Sequence, residues 1–152
     1  MSYIGVFSYL RNYNLHTQVI DVLIKDSSRA AVTKYLQCGE EELVKCHALV
    51  VEDNPILIVS AGDKNINEEK YRNYFEEKIK KINYNLLKET IGHTFGGLCP
   101  FNVKHNVKVY LDKSLKELEN IYVSCGSPFA CVKLEIDELE KSTQYVKWID
   151  VC

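Results

Sequence analysis

Three short stretches carry residues whose types and spacing could do chemistry. The first is Lys45 in Val44-Lys45-Cys46-His47-Ala48-Leu49-Val50-Val51. On a strand alternate residues share a face, so Lys45 points with His47, Leu49 and Val51. A lysine opening a mostly apolar strand face sits at the rim of a pocket, its ammonium ready for a phosphate or a carbonyl oxygen, or else snorkels to water as strand-end lysines commonly do. The second is Gly96-Gly97-Leu98-Cys99-Pro100-Phe101, preceded by Gly92-His93. Adjacent glycines let a backbone approach a ligand and present N–H groups to a developing oxyanion, and a following proline stiffens the loop. An ordinary Gly-Gly turn is the plainer alternative. The third is Ser124-Cys125-Gly126-Ser127-Pro128-Phe129, where Ser127 is either a ligand contact or a turn residue.

Other chemistries find less support. Cys99 with His93 or His47 is the one conceivable Cys-His pair, and such pairs are defined by geometry. Cys46 adjoins His47 but points to the opposite strand face. The four histidines, His16, His47, His93 and His105, have no metal-ligand spacing, and neither GxxxxGK[ST] nor GxGxxG occurs. No metal or cofactor is called for. Six cysteines with no CxxC pair and no export-type N-terminus read as buried thiols of a cytoplasmic protein.

The 152 residues suit one domain, and the net charge of −2 argues against a protein that coats nucleic acid. A nucleic-acid partner would be gripped at few phosphates. Lys78, Lys80, Lys81, Lys104 and Lys108 form a local basic set, or a solvated face. No apolar run is long enough to span a membrane.

The elements that must position these stretches follow from periodicity and punctuation. Ile4, Phe7 and Leu10 predict one face of a first helix, and Ser27 or Ser28 caps a second over residues 29–37. Strands are expected at 19–24, 44–51, 55–61, 108–111, 121–124, 131–134 and 146–151. Glu52-Asp53-Asn54 turns the second into the third as a hairpin. Helices are expected from a cap at Asn67 to about residue 80, with Tyr71, Tyr74, Phe75 and Ile79 inward, then over 84–91 and 137–142. The irregular order of strands and helices indicates an α/β (α+β-like) domain: a mixed, barrel-like sheet with peripheral helices, spanning residues 1–152.

Together the three stretches resemble the YbaK/ProX family of aminoacyl-tRNA deacylases, itself similar to the editing (insertion) domain of bacterial prolyl-tRNA synthetase. Leu43-Val44-Lys45 precedes the hairpin strand that ends at Gly62-Asp63, Gly96 to Phe101 looks like that family's GxxxP loop, and Gly126-Ser127-Pro128 matches its GSP segment. Val109-Tyr110-Leu111-Asp112 and the closing Trp148-Ile149-Asp150 complete the match. The resemblance implies a YbaK-like fold and hydrolysis of a mischarged aminoacyl-tRNA, with a small amino acid such as Cys, Ala, Ser or Pro. It implies Lys45, Gly96 and Gly97 as catalytic residues. It implies His47, Asp63, Leu98, Cys99, Pro100, Phe101, Gly126, Ser127, Pro128 and Phe129 as substrate-binding residues. The expected partners are the acceptor end of an aminoacyl-tRNA and an aminoacyl-tRNA synthetase, with no membrane, for a monomer or weak homodimer. Phe129 stands where relatives often carry His or Asn, and His47 where they carry an aliphatic residue. A non-catalytic binding module of the same fold, holding a tRNA end, a nucleotide or an amino acid, is the alternative.

Overall fold

In a computed structural model, which describes residues 2–152, the strands form two sheets rather than a closed barrel. The chain enters through α1 (Ser2–Arg11), then β1 (Val19–Asp21) and α2 (Arg29–Leu36). The Ser28 hydroxyl caps α2 by accepting from the Ala31 N–H at 3.2 Å. β2 (Lys45–Val51) and β3 (Asn54–Ser60) form a hairpin whose turn residues, Glu52 and Asp53, take φ of 51° and 65°. That double positive φ gives a tight turn whose twist matches the strands. α3 (Glu68–Phe75), α4 (Leu87–Thr90), β4 (Lys108–Asp112), β5 (Asn120–Ser124), β6 (Ala130–Glu135), α5 (Ile136–Ser142) and β7 (Tyr145–Ile149) follow.

The smaller sheet runs β1-β6-β5 and is antiparallel; the larger runs β2-β3-β4-β7 and is mixed, with parallel β3-β4 and β4-β7 pairs. Between the sheets, Val6 and Leu10 of α1, Leu57 and Val59 of β3, Leu111 of β4, Ile121 and Val123 of β5 and Val132 of β6 form the main core. The outer face of β3, Ile56 and Ile58, is covered by Tyr71 of α3 and by Val151. β3 is thus buried on both faces, as a central strand flanked by helices must be. No helix is long and apolar enough to cross a membrane among the described residues.

Three local expectations change. The inward face of α1 is Val6 and Leu10, whereas Ile4 is exposed. α3 stops at Phe75 because Glu76 adopts a left-handed conformation (φ 59°), and Tyr74 is exposed. Residues 80–82 instead lie along the free edge of β2, where Val50 N donates to Lys80 O (2.9 Å) and Ile82 N to Ala48 O (3.2 Å). Edge pairing with β2 outweighs extension of a lysine-rich helix. The helix expected over 84–91 begins as a 3₁₀ turn, Tyr84–Leu86, before α4.

Candidate active site

The site lies where the two sheets meet. Leu43 and Val44 run beside β5, with Val44 N donating to Tyr122 O at 3.0 Å, while Ala48 and Val50 are engaged by residues 80–82. In an antiparallel hairpin the outward-facing backbone groups belong to alternate residues. Cys46 therefore aims its N–H and C=O outward like Val44, Ala48 and Val50, into the gap between the two neighbouring segments. The 3₁₀ turn Phe95–Gly97 stands across that gap.

The result is a two-lobed cavity. One lobe, of about 450 Å³, is lined by Arg29, Lys45, Gly96, Leu98, Ser124 and Pro128 among others. The second, of about 600 Å³, is lined by Asn65, Glu68, Lys81, Tyr84, Phe95 and Leu98 among others. Cys46, His47, Phe95 and Leu98 border both lobes. Lys45, Gly96 and Leu98 of the glycine loop, and Pro128 thus line one lobe.

The Lys45 ammonium donates to Asn65 Oδ1 at 3.3 Å, and neither salt bridge among the described residues involves it. It is a cation held at the rim with no carboxylate within ion-pair distance among the described residues. Just upstream, the Arg29 guanidinium donates to the carbonyls of Leu43 and Glu40, fixing the chain that delivers Lys45 to the rim. Gly62 makes this possible: a side chain there would collide with those carbonyls and the guanidinium.

His47 Nε2 lies 2.9 Å from Ser60 Oγ, and the Ser60 hydroxyl donates to Ala61 O at 3.1 Å. In the tautomer that carries the ring hydrogen on Nε2, His47 donates to Ser60 Oγ while the Ser60 hydroxyl donates to Ala61 O. That tautomer leaves Nδ1 as an acceptor, on a side chain that borders both lobes. Burial, with the Lys45 charge beside it, pushes the His47 pKa down to about 4, so the ring is neutral at ordinary pH.

Other expected site residues stand elsewhere. Gly97 is buried, and its N–H already donates to Thr94 O at 3.0 Å. A methyl group on Gly97 would lie 2.8 Å from the Gly126 Cα, closer than atoms pack. Its glycine serves a close crossing of two backbones, and the expectation that Gly97 N–H meets the substrate is corrected. Gly96 N–H has no backbone acceptor among the described residues. Cys99 and Phe101 are fully buried in the core, and Pro100 is buried too, so none of the three lines the cavity. Burial pushes the Cys99 thiol up to about 12. His93 Nε2 lies 2.7 Å from Phe101 O and 3.5 Å from Cys99 Sγ, and its Nδ1 meets the Ser2 hydroxyl. That histidine is a buried strut behind the loop rather than a base. Ser127 Oγ accepts from Phe129 N at 3.1 Å, a turn role. Asp63 and Phe129 are exposed and border neither lobe, whereas Gly126 backs onto Gly97. Arg29, Asn65 and Tyr84 carry no site signal in the sequence, and Lys81 carries only its place in a basic set. Their positions depend on chain pairings that no local pattern reveals.

Comparison with known proteins identifies the family and the fold. A family model described as the aminoacyl-tRNA editing domain matches residues 25–142. The chain is 41% identical over 100 residues to the uncharacterised protein YwhH of Bacillus subtilis, covering 66% of this chain and 64% of that one. It is 29% identical over 110 residues to a proline–tRNA ligase of Lactiplantibacillus plantarum, covering 70% of this chain but only 19% of the ligase. Among solved structures, a proposed trans-editing enzyme for prolyl-tRNA synthetase shares the fold with a TM-score of 0.87 at 18% identity, covering 99% of this chain and 96% of that one. The chain belongs to the aminoacyl-tRNA editing domain family, the deacylase family that its motifs resemble.

Proposed function

We propose that this protein hydrolyses, in trans, the ester joining a wrongly attached small amino acid, such as alanine, cysteine, serine or proline, to the terminal adenosine of a tRNA. The observation that carries the proposal is the convergence of Lys45, Gly96 and Pro128 on one lobe beside His47. In this reading the Gly96 N–H and the Lys45 ammonium polarise the ester carbonyl. The neutral His47 Nδ1 and the outward C=O of Cys46 accept hydrogen bonds from the substrate's α-ammonium. Water adds to the carbonyl carbon, the bond from that carbon to the ribose oxygen breaks, and the ribose oxygen takes up a proton. The amino acid leaves as its carboxylate. Donors fixed in a partly dry pocket stabilise the developing oxyanion more than water would, because they need no reorganisation. An activated ester asks for little beyond this, and a hydroxyl of the substrate's own ribose can assist the water.

The acceptor end is single-stranded and offers few phosphates, which suits a protein of net charge −2. The test is a panel of mischarged tRNAs. Wild-type protein should deacylate at least one, and Lys45→Ala should lose that activity. Failure to cut any, or a fully active Lys45→Ala, refutes the proposal.

A further inference from the structure

The larger lobe is bordered by two aromatic side chains that the reaction above does not use. Tyr84 is 67% exposed and Phe95 60% exposed, yet they stack on each other, with ring centroids 4.4 Å apart and planes 29° apart. Single exposed apolar residues are common on a protein surface, but a parallel stack of two at a cavity mouth concentrates apolar area where it has a use. Each ring is held by a rigid turn. Tyr84 opens a 3₁₀ turn capped by Asn83, whose side chain accepts from Asn85 N at 2.9 Å. Phe95 opens the turn that the Gly97–Gly126 crossing pins.

The same lobe carries Lys81, which is exposed and takes part in neither salt bridge among the described residues. Lys80 beside it is exposed as well. A flat π face with an unpaired ammonium beside it is the combination that holds single-stranded nucleic acid: the ring stacks on a base and the ammonium meets a phosphate. Phe95 also borders the smaller lobe, so a base stacked on this pair continues directly into the pocket that would hold the ester.

We propose that Tyr84 and Phe95 form a stacking platform for a nucleobase of the substrate's single-stranded acceptor end, with Lys81 meeting an adjacent phosphate. This rests on the deacylase reading for the identity of the RNA, and its test is binding, which needs no turnover. The probe is a C-C-A ribotrinucleotide carrying alanine in amide linkage at its 3′ end, which cannot be hydrolysed as an ester. Titrated against wild-type protein, Tyr84→Ala, Phe95→Ala and Tyr84→Phe, it should bind the two alanine variants about tenfold or more weakly and Tyr84→Phe like wild type, because stacking needs only the ring. Lys81→Ala should flatten the salt dependence of Kd. A probe abasic at its terminal or penultimate position should weaken for wild type and show no further loss on the double alanine variant. Alanine variants that bind within twofold of wild type overturn the proposal, as does a wild-type protein that does not bind the probe. Tyr84 is so exposed that its alanine variant tests the idea even if Phe95→Ala fails to fold. If no mischarged tRNA is hydrolysed but the alanine variants still lose the probe, the platform stands and the deacylase reading falls. If hydrolysis proceeds with unchanged KM in both alanine variants, the platform alone falls.

Discussion

The glycine loop offers a discriminating perturbation, because its two glycines meet different surroundings. Gly97→Ala puts a methyl carbon under 3.0 Å from three backbone atoms of Gly126, against the roughly 3.4 Å that real carbons tolerate. Gly126 cannot retreat. Its φ is 79°, and the backbone of Ser2 in α1 presses on its other side. The two loops must therefore separate by about 1 Å, since the nearest of these contacts would be 2.3 Å. Overpacking of this kind costs about 1–3 kcal/mol, and rigid backbone on both sides places this case at the upper end. Displacement of the Phe95–Gly97 turn by about 1 Å also moves the Gly96 N–H off the ester carbonyl, which can cost about 100-fold in rate. Gly96→Ala is the control: its methyl carbon would meet only Pro128, at 3.4 Å, and the N–H survives. Urea denaturation together with deacylation of the best mischarged tRNA measures both effects. Gly97→Ala should be destabilised and nearly inactive, whereas Gly96→Ala should stay stable and keep activity within a few-fold. A Gly97→Ala as stable and active as wild type, or a Gly96→Ala that is the worse of the two, refutes it.

Other consequences follow from the same geometry. Lys45→Ala should abolish deacylation, whereas Asn65→Ala, which frees the ammonium without removing it, should cost only a few-fold in kcat/KM; equal losses in steady-state kinetics would contradict this assignment. The native pKa of about 4 for His47, against an unfolded value of 6.5, means the unfolded chain binds the proton first as pH falls, so stability is full above pH 6.5 and declines from there toward pH 4. The decline from this group is at most about 3 kcal/mol, the free-energy equivalent of that difference. His47→Gln should remove that component, which denaturation at several pH values would show as a shallower slope than wild type. Cys99→Ala should keep kcat/KM within a few-fold, and intact-protein mass spectrometry should find Cys99 unlabelled by iodoacetamide at neutral pH, since its thiol is buried and titrates near 12.

The site was legible where one residue type does one job in one place, and illegible where pairing decides. Lys45 and His47 could be put on one strand face from alternation alone, and in the structure both border the cavity. The glycine pair reads as a backbone open to a ligand, but at Gly97 the close neighbour is the backbone of Gly126, some 29 residues later in the chain. Sequence gives the permission for close approach and withholds the partner. The same limit hid the platform: Tyr84 reads as a helix residue and Phe95 as a loop residue, and only the folding of residues 80–82 onto the edge of β2 brings their rings together. That edge strand also explains why α3 ends early, since the lysines at 78, 80 and 81 suit a solvent-facing helix and an edge strand equally well, and the unpaired backbone of β2 decides between them. The segment that stops at residue 82 leaves Cys46 uncovered, and the gap it leaves is the cavity. The chain then turns into the 3₁₀ turn Tyr84–Leu86 instead of continuing beside Cys46, so where this edge pairing ends, more than any single side chain, is what leaves the gap open.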